Sequence, residues 1–138
     1  MFHRPAAAGG KTLVDVLVGA AIVAILGMLA LPSFTDYQQR SRRTDATSAL
    51  ERLAANQEQY FMSNFTYTTD VELLGLDGGK SAAGYYTVTV DAADGQGFTA
   101  RAVPVVDNSQ GGDEDCQEFT IDAAQQRLAQ PDPDGDCW

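Results

Sequence analysis

The residue best placed to do chemistry early in this 138-residue chain is a lone carboxylate. Asp15 sits near the start of an apolar stretch from Leu13 to Leu31, just after the pair Gly9-Gly10. A charge at the centre of a membrane helix costs about 2.5–3.5 kcal/mol on insertion scales, and less near its end. A segment that only anchored the chain would not carry that charge. Asp15 is therefore read as a functional group awaiting a cation. Catalytic chemistry finds little support elsewhere. The single histidine, His3, lies in the first ten residues. Without them no imidazole remains for general-base or metal work. Cys116 and Cys137 have twenty residues between them and no CxxC spacing, so they read as one disulfide of an exported domain. That bond is worth roughly 3 kcal/mol by loop entropy. No catalytic residue, metal ligand or cofactor is assigned. Asp132, Asp134 and Asp136 alternate faintly like a calcium loop, but no Glu follows at the completing distance.

The elements around these residues follow from pattern. Val16–Leu31 is uninterrupted by polar residues, and Leu13–Phe34 as a helix is about 33 Å long, enough to cross a bilayer. Gly19, Val23 and Gly27 recur every four residues, a spacing that permits close helix approach. Pro32 lies inside this pattern and is expected to kink or locally melt the helix near Met28–Leu31. Beyond it, Ala46, Ala49, Leu50, Leu53, Ala54, Gln57, Tyr60 and Phe61 form a stripe at three- and four-residue steps. The helix is expected to continue to about Ser63, transmembrane at first and then amphipathic. Thr44, Asp45, Ser48, Glu51, Arg52, Asn56 and Glu58 fall mostly on the other side. Arg40, Arg42 and Arg43 form a basic cluster available to lipid headgroups or to acidic neighbours. Asn64–Gly84 reads as a loop. Strands are expected at Tyr85–Asp91, Phe98–Val103, Gln117–Asp122 and Arg127–Gln130, with a turn at Asp94–Gly97. Two to four antiparallel strands under the helical stripe give an α+β head with a disulfide-closed C-terminal loop, on which Trp138 packs over the disulfide or the sheet edge.

Charge is uneven. Up to Tyr60 there are six basic and five acidic residues; after it there are three basic and fourteen acidic. Such a head repels phosphate and argues against nucleic-acid binding, leaving Lys80 and Arg101 as the only local patch to consider. The acidic, cysteine-bearing part is the exported side.

Gly10-Lys11-Thr12-Leu13-Val14-Asp15-Val16-Leu17-Val18, running into a long apolar helix, resembles the class III signal of type IV prepilins. Pro32, Tyr67-Thr68-Thr69-Asp70 with Leu74-Gly75-Leu76, Tyr86-Thr87-Val88, Phe98-Thr99-Ala100, Asp115-Cys116 and Cys137-Trp138 are similar to PilE-like minor pilins, which are akin to ComP-type DNA-uptake pilins. Two positions depart from the pattern. The acid is normally Glu and here is Asp15; the residue after the cut is normally Phe or Met and here is Lys11.

The resemblance implies a pilin fold in three parts: a leader over residues 1–10, a transmembrane and assembly helix over 11–34, and a periplasmic head over 35–138. It implies cleavage after Gly10 by a prepilin peptidase and methylation of the new amine at Lys11. Asp15 then pairs with the new ammonium of a neighbouring subunit, or with that subunit's Lys11 side chain instead. The implied partners are other pilin subunits, the peptidase, the inner-membrane assembly machinery and the bilayer before assembly. The implied places are the bacterial inner membrane, with the C-terminal part periplasmic, and the extracellular pilus. The implied roles are pilus biogenesis, adhesion, twitching motility or DNA uptake. A type II secretion pseudopilin and a pilus-tip DNA receptor are the alternative readings.

Overall fold

The computed structural model describes residues 12–132 and 134–138. The leader, the cut after Gly10, and Lys11 lie outside the described residues. One helix, α1 (Leu13–Asn64), is followed by a short 3-10 turn at Asp77–Gly79 and four strands. The strands are β1 (Tyr86–Ala93), β2 (Phe98–Pro104), β3 (Glu118–Asp122) and β4 (Arg127–Gln130). They form one antiparallel meander in the order β1-β2-β3-β4. The chain divides into two units, the residues up to Asp36 and Tyr37–Trp138, and α1 contributes to both.

In the first unit the helix is apolar on every face over Val16–Leu29, and the side chains described there are exposed. Leu13, Val14, Val16, Leu17, Ile22, Val23, Leu26 and Met28 are all exposed. A helix hydrophobic all round belongs in a protein core or in lipid. The helix is unbroken through Met28–Leu31 and Pro32, so the local melting expected there is not found. Helices tolerate an internal proline when only one backbone hydrogen bond is forfeited and the neighbouring turns hold.

In the second unit α1 lays the stripe read from the sequence over the sheet. Ala46, Ala49, Leu50, Leu53, Ala54 and Gln57 are buried, and Tyr60 is half-buried against the same core. The sheet contributes Tyr86 and Val88 from β1, Phe98, Ala100 and Ala102 from β2, and Phe119 and Ile121 from β3. These alternate with outward Thr89, Thr99 and Arg101, as a half-buried strand requires. A bulge between Val90 and Ala92 shifts the register near the end of β1. The paired Asp94 N–H and Gly97 carbonyl close the β1–β2 turn at 3.0 Å.

The loop between α1 and β1 sends Leu74 and Leu76 into the core, and helix side chains hold its backbone. Buried Gln57 clamps Thr68, donating to its carbonyl at 2.6 Å and accepting from its N–H at 3.0 Å. Asn56 donates to the Leu74 carbonyl at 2.8 Å. Asp45 accepts from the Ser81 hydroxyl and from the N–H groups of Ala83, at 3.0 Å, and Tyr85, at 3.4 Å. Asp45 and Asn56 were expected on the solvated side; both are half-buried. Loop backbone near a core must find partners, and these two side chains supply them. Gly79, at φ +64°, passes so close to β1 that an added Cβ would lie 2.9 Å from the Val88 carbonyl oxygen.

Candidate functional site

At the start of α1, Thr12 and Asp15 cap each other. The Thr12 N–H donates to Asp15 Oδ2 at 3.0 Å, and the Asp15 N–H donates to Thr12 Oγ1 at 3.3 Å. This is a reciprocal capping box, with Asp in the place usually held by Glu or Gln. It satisfies two of the helix's orphan donors and favours an anion at the positive end of the helix dipole. Asp15 Oδ1 takes no hydrogen bond among the described residues. The carboxylate is thus oriented by its own chain. Gly19 and Gly27, eight residues apart on one face, each have open space where a side chain would stand.

The basic cluster meets partners within the head. Arg43 is buried, and its guanidinium grips Asp113 with two parallel bonds, Nε to Oδ2 at 2.8 Å and Nη2 to Oδ1 at 2.7 Å. The Gln110 amide adds a third donor to Asp113 at 2.8 Å and also reaches the Gln39 carbonyl at 3.3 Å. Arg40 pairs with Asp136 at 3.3 Å. Arg42 bonds Gln38 and Ser109 and lies 4.8 Å over the Tyr85 ring. Arg43 is therefore not free for lipid headgroups or for other subunits. A periodic signal for this was present, since Arg43 precedes Ala46 and Leu50 on the same helical stripe.

The Asp113 carboxylate and burial set the charge states nearby. The hydrogen bonds from Arg43 to Asp113 hold the guanidinium protonated even more firmly than usual, against the cost of its burial. Burial first, and then the Asp113 charge, push the Tyr86 hydroxyl well above its ordinary pKa of 10.0. Its oxygen has no hydrogen-bond partner among the described residues, nor has the buried Gln110 Oε1. The Gln110 side chain opposes the Tyr86 shift. A raised tyrosine pKa contributes stability that is complete below pH 10 and is lost as pH rises towards the folded-state value. Tyr86→Phe is expected to leave neutral-pH stability equal or higher by up to about 1 kcal/mol, because a buried hydroxyl without a partner is removed. It should also flatten the loss of stability above pH 10, which melts across an alkaline pH series would record.

Cys116 and Cys137 are joined, with Cα atoms 5.7 Å apart, and both are buried in the core. The bond closes the segment holding β3 and β4. Trp138 lies on β4: its indole N–H donates to the Leu128 carbonyl at 2.7 Å, and its ring meets Phe119 edge-on at 6.0 Å. Arg127 stacks over that indole and pairs with Glu51 of α1 at 3.1 Å. Asp136 is held by Arg40, and among the described residues no group of His, Cys, Asp and Glu gathers to hold a metal. Arg101 lies between Asp91, at 3.1 Å, and Glu118, at 3.6 Å. The structure does not join it with Lys80 in a free basic patch.

Comparison with known proteins agrees with this architecture. The chain is 28% identical over 96 residues to the type IV major pilin protein PilA of Myxococcus xanthus, covering 70% of this chain and 44% of that one. It is 28% identical over 86 residues to the type IV major pilin protein PilE of Neisseria gonorrhoeae, covering 62% and 52%. The chain thus spans about half the length of these two relatives. It is 30% identical over 91 residues to the type IV wide pilus major component PilA4 of Thermus thermophilus, covering 66% and 70%. In fold it is similar to the crystal structure of the non-core minor pilin PilV of Neisseria meningitidis, with a TM-score of 0.54 at 23% identity, covering 68% of this chain and 88% of that one. Residues 32–120, well over half of the chain, match the family described as type IV minor pilin ComP, DNA uptake sequence receptor. With one long helix, apolar at its start, and a disulfide-closed four-stranded head, the chain belongs to that family of type IV pilins.

Proposed function

We propose that this chain is a minor structural subunit of a type IV pilus, inserted and assembled through the helix over residues 11–34. A prepilin peptidase removes residues 1–10, and the new ammonium at Lys11 pairs with Asp15 of a neighbouring subunit. The chain waits in the bacterial inner membrane with its head in the periplasm, and the assembly machinery then moves it into the extracellular filament. The observation that carries this reading is the pairing of an all-round apolar, exposed helix with one half-satisfied carboxylate at its start. Lipid accounts for the first but not for the second. A filament, in which the amine and the acid are both poorly solvated, accounts for both. The experiment is an intact mass of the protein recovered from sheared pili. It should match a chain beginning at Lys11, with or without one methyl group. A filament-borne protein that retains residues 1–10 would overturn the reading.

The family's description also favours a second reading, a receptor for DNA at the pilus tip. Against it stand the acidic head and the ion-pairing of Arg101 by Asp91 and Glu118, which leave little exposed positive charge for phosphate. Gel shifts with the full chain in detergent, in physiological salt, test it. Retarded DNA would restore the receptor role.

A further inference from the structure

We propose that the head of this chain sits beside basic neighbours in the filament and is kept from lying beside copies of itself by charge; this rests on the assembly reading above. Residues 37–138 hold seven Lys and Arg against seventeen Asp and Glu. The fold engages most of those cations internally. Arg43 is buried on Asp113, Arg40 pairs with Asp136, Arg101 lies between two acids, and Arg127 pairs with Glu51. Arg42 is taken up by Gln38, Ser109 and the Tyr85 ring. Only Arg52 and Lys80 are exposed without an ion pair among the described residues. Asp77, Asp107, Glu114, Asp132 and Asp134 are exposed and equally without one.

The surface charge left over is therefore strongly negative, and its own few cations cannot answer a second copy. Two such heads held within a Debye length, about 8 Å at physiological salt, repel each other. Like charges juxtaposed across an interface cost several kcal/mol, and charge complementarity selects partners more than it adds affinity. The helix makes little of that selection, because over Val16–Leu29 it offers only apolar side chains and glycines, which fit any similar helix. Choice of neighbour falls to the heads. The partner that fits is another pilin-type subunit whose unpaired surface groups are Lys and Arg.

The test is co-expression of the full chain with a second copy carrying Asp77→Lys, Asp107→Lys, Glu114→Lys, Asp132→Lys and Asp134→Lys. A third copy carries Asn or Gln at the same positions. A photo-reactive residue at exposed Ser48, which does not depend on amines, links neighbours in filaments prepared in 50 mM or 500 mM salt. Mass spectrometry then counts mixed and self pairs, and thermal melts report the folding of each copy. Mixed pairs between the wild-type and lysine copies should exceed wild-type self pairs at least fivefold in low salt, and the excess should shrink in high salt. The neutralised copy should self-pair severalfold more often than wild type, and it decides the matter should the lysine copy fail to fold. Self pairs as frequent as mixed pairs at both salts, or a neutralised copy that self-pairs no more than wild type, would overturn the proposal while leaving the assembly reading intact. Absence of the wild-type chain from filaments would overturn both.

Discussion

Arg43→Met will lower the stability of the head by about 3–5 kcal/mol, the largest single loss expected from any charged residue in it. The cause is the partner left behind. The Arg43 and Asp113 side chains are 6% and 1% exposed, so removing the guanidinium strands a carboxylate in the core with one amide donor from Gln110. Against a typical domain stability of about 5–15 kcal/mol, such a loss leaves the head marginal. Arg43→Met with Asp113→Leu should recover most of it, because no uncompensated charge then remains. Arg40→Gln gives the contrast. Arg40 and Asp136 are each 56% exposed, and solvent screening holds that pair's worth to about 1 kcal/mol or less. Urea melts of the four proteins in detergent check the set. A loss below about 1 kcal/mol for Arg43→Met alone would mean that the buried pair does not hold the 105–116 loop on the helix.

The same pair shows where the sequence stops being legible. The helical stripe from Ala46 to Tyr60 could be read because burial repeats at a fixed period, and the four strands fall within a residue or two of their expected places, β1 because Thr and Val alternate in it and β2 because the Asp94–Gly97 turn and Pro104 bound it. The disulfide could be read because the head has only two cysteines. The partners of Arg43, which is in phase with that stripe, and of Asp45 and Asn56 could not be read, because pattern assigns a polar side chain to water unless its partner is known. Their partners are Asp113, Ser81 and the Leu74 carbonyl, 70, 36 and 18 residues further along the chain. Such pairings are properties of the closed fold. Asp15 could be read as unusual, since a charge in an apolar run needs no fold to stand out. Its cap on Thr12 was equally local, four residues of sequence forming one capping box. The cation proposed for Asp15 belongs to a neighbouring subunit, and no single sequence displays that contact.

Asp15→Val is expected to leave the amount of protein in the membrane unchanged and to cut its incorporation into sheared pili at least tenfold. Insertion follows from the apolar run, which a valine extends. Incorporation, on the proposed mechanism, needs the carboxylate to neutralise a neighbour's ammonium where neither is well hydrated, and a tenfold loss corresponds to only about 1.4 kcal/mol of that pairing. Valine also removes the cap on Thr12, worth about 1 kcal/mol, so fraying of the helix start could mimic the effect. Asp15→Asn separates the two. Its side-chain oxygen still accepts from the Thr12 N–H, but the charge is gone. If charge pairing governs assembly, Asn fails as Val does, and Asp15→Glu, which lengthens the side chain by one methylene and keeps both cap and charge, restores incorporation. If Asn assembles as well as wild type, Asp15 serves the helix of its own chain and the axial register of the filament is set elsewhere.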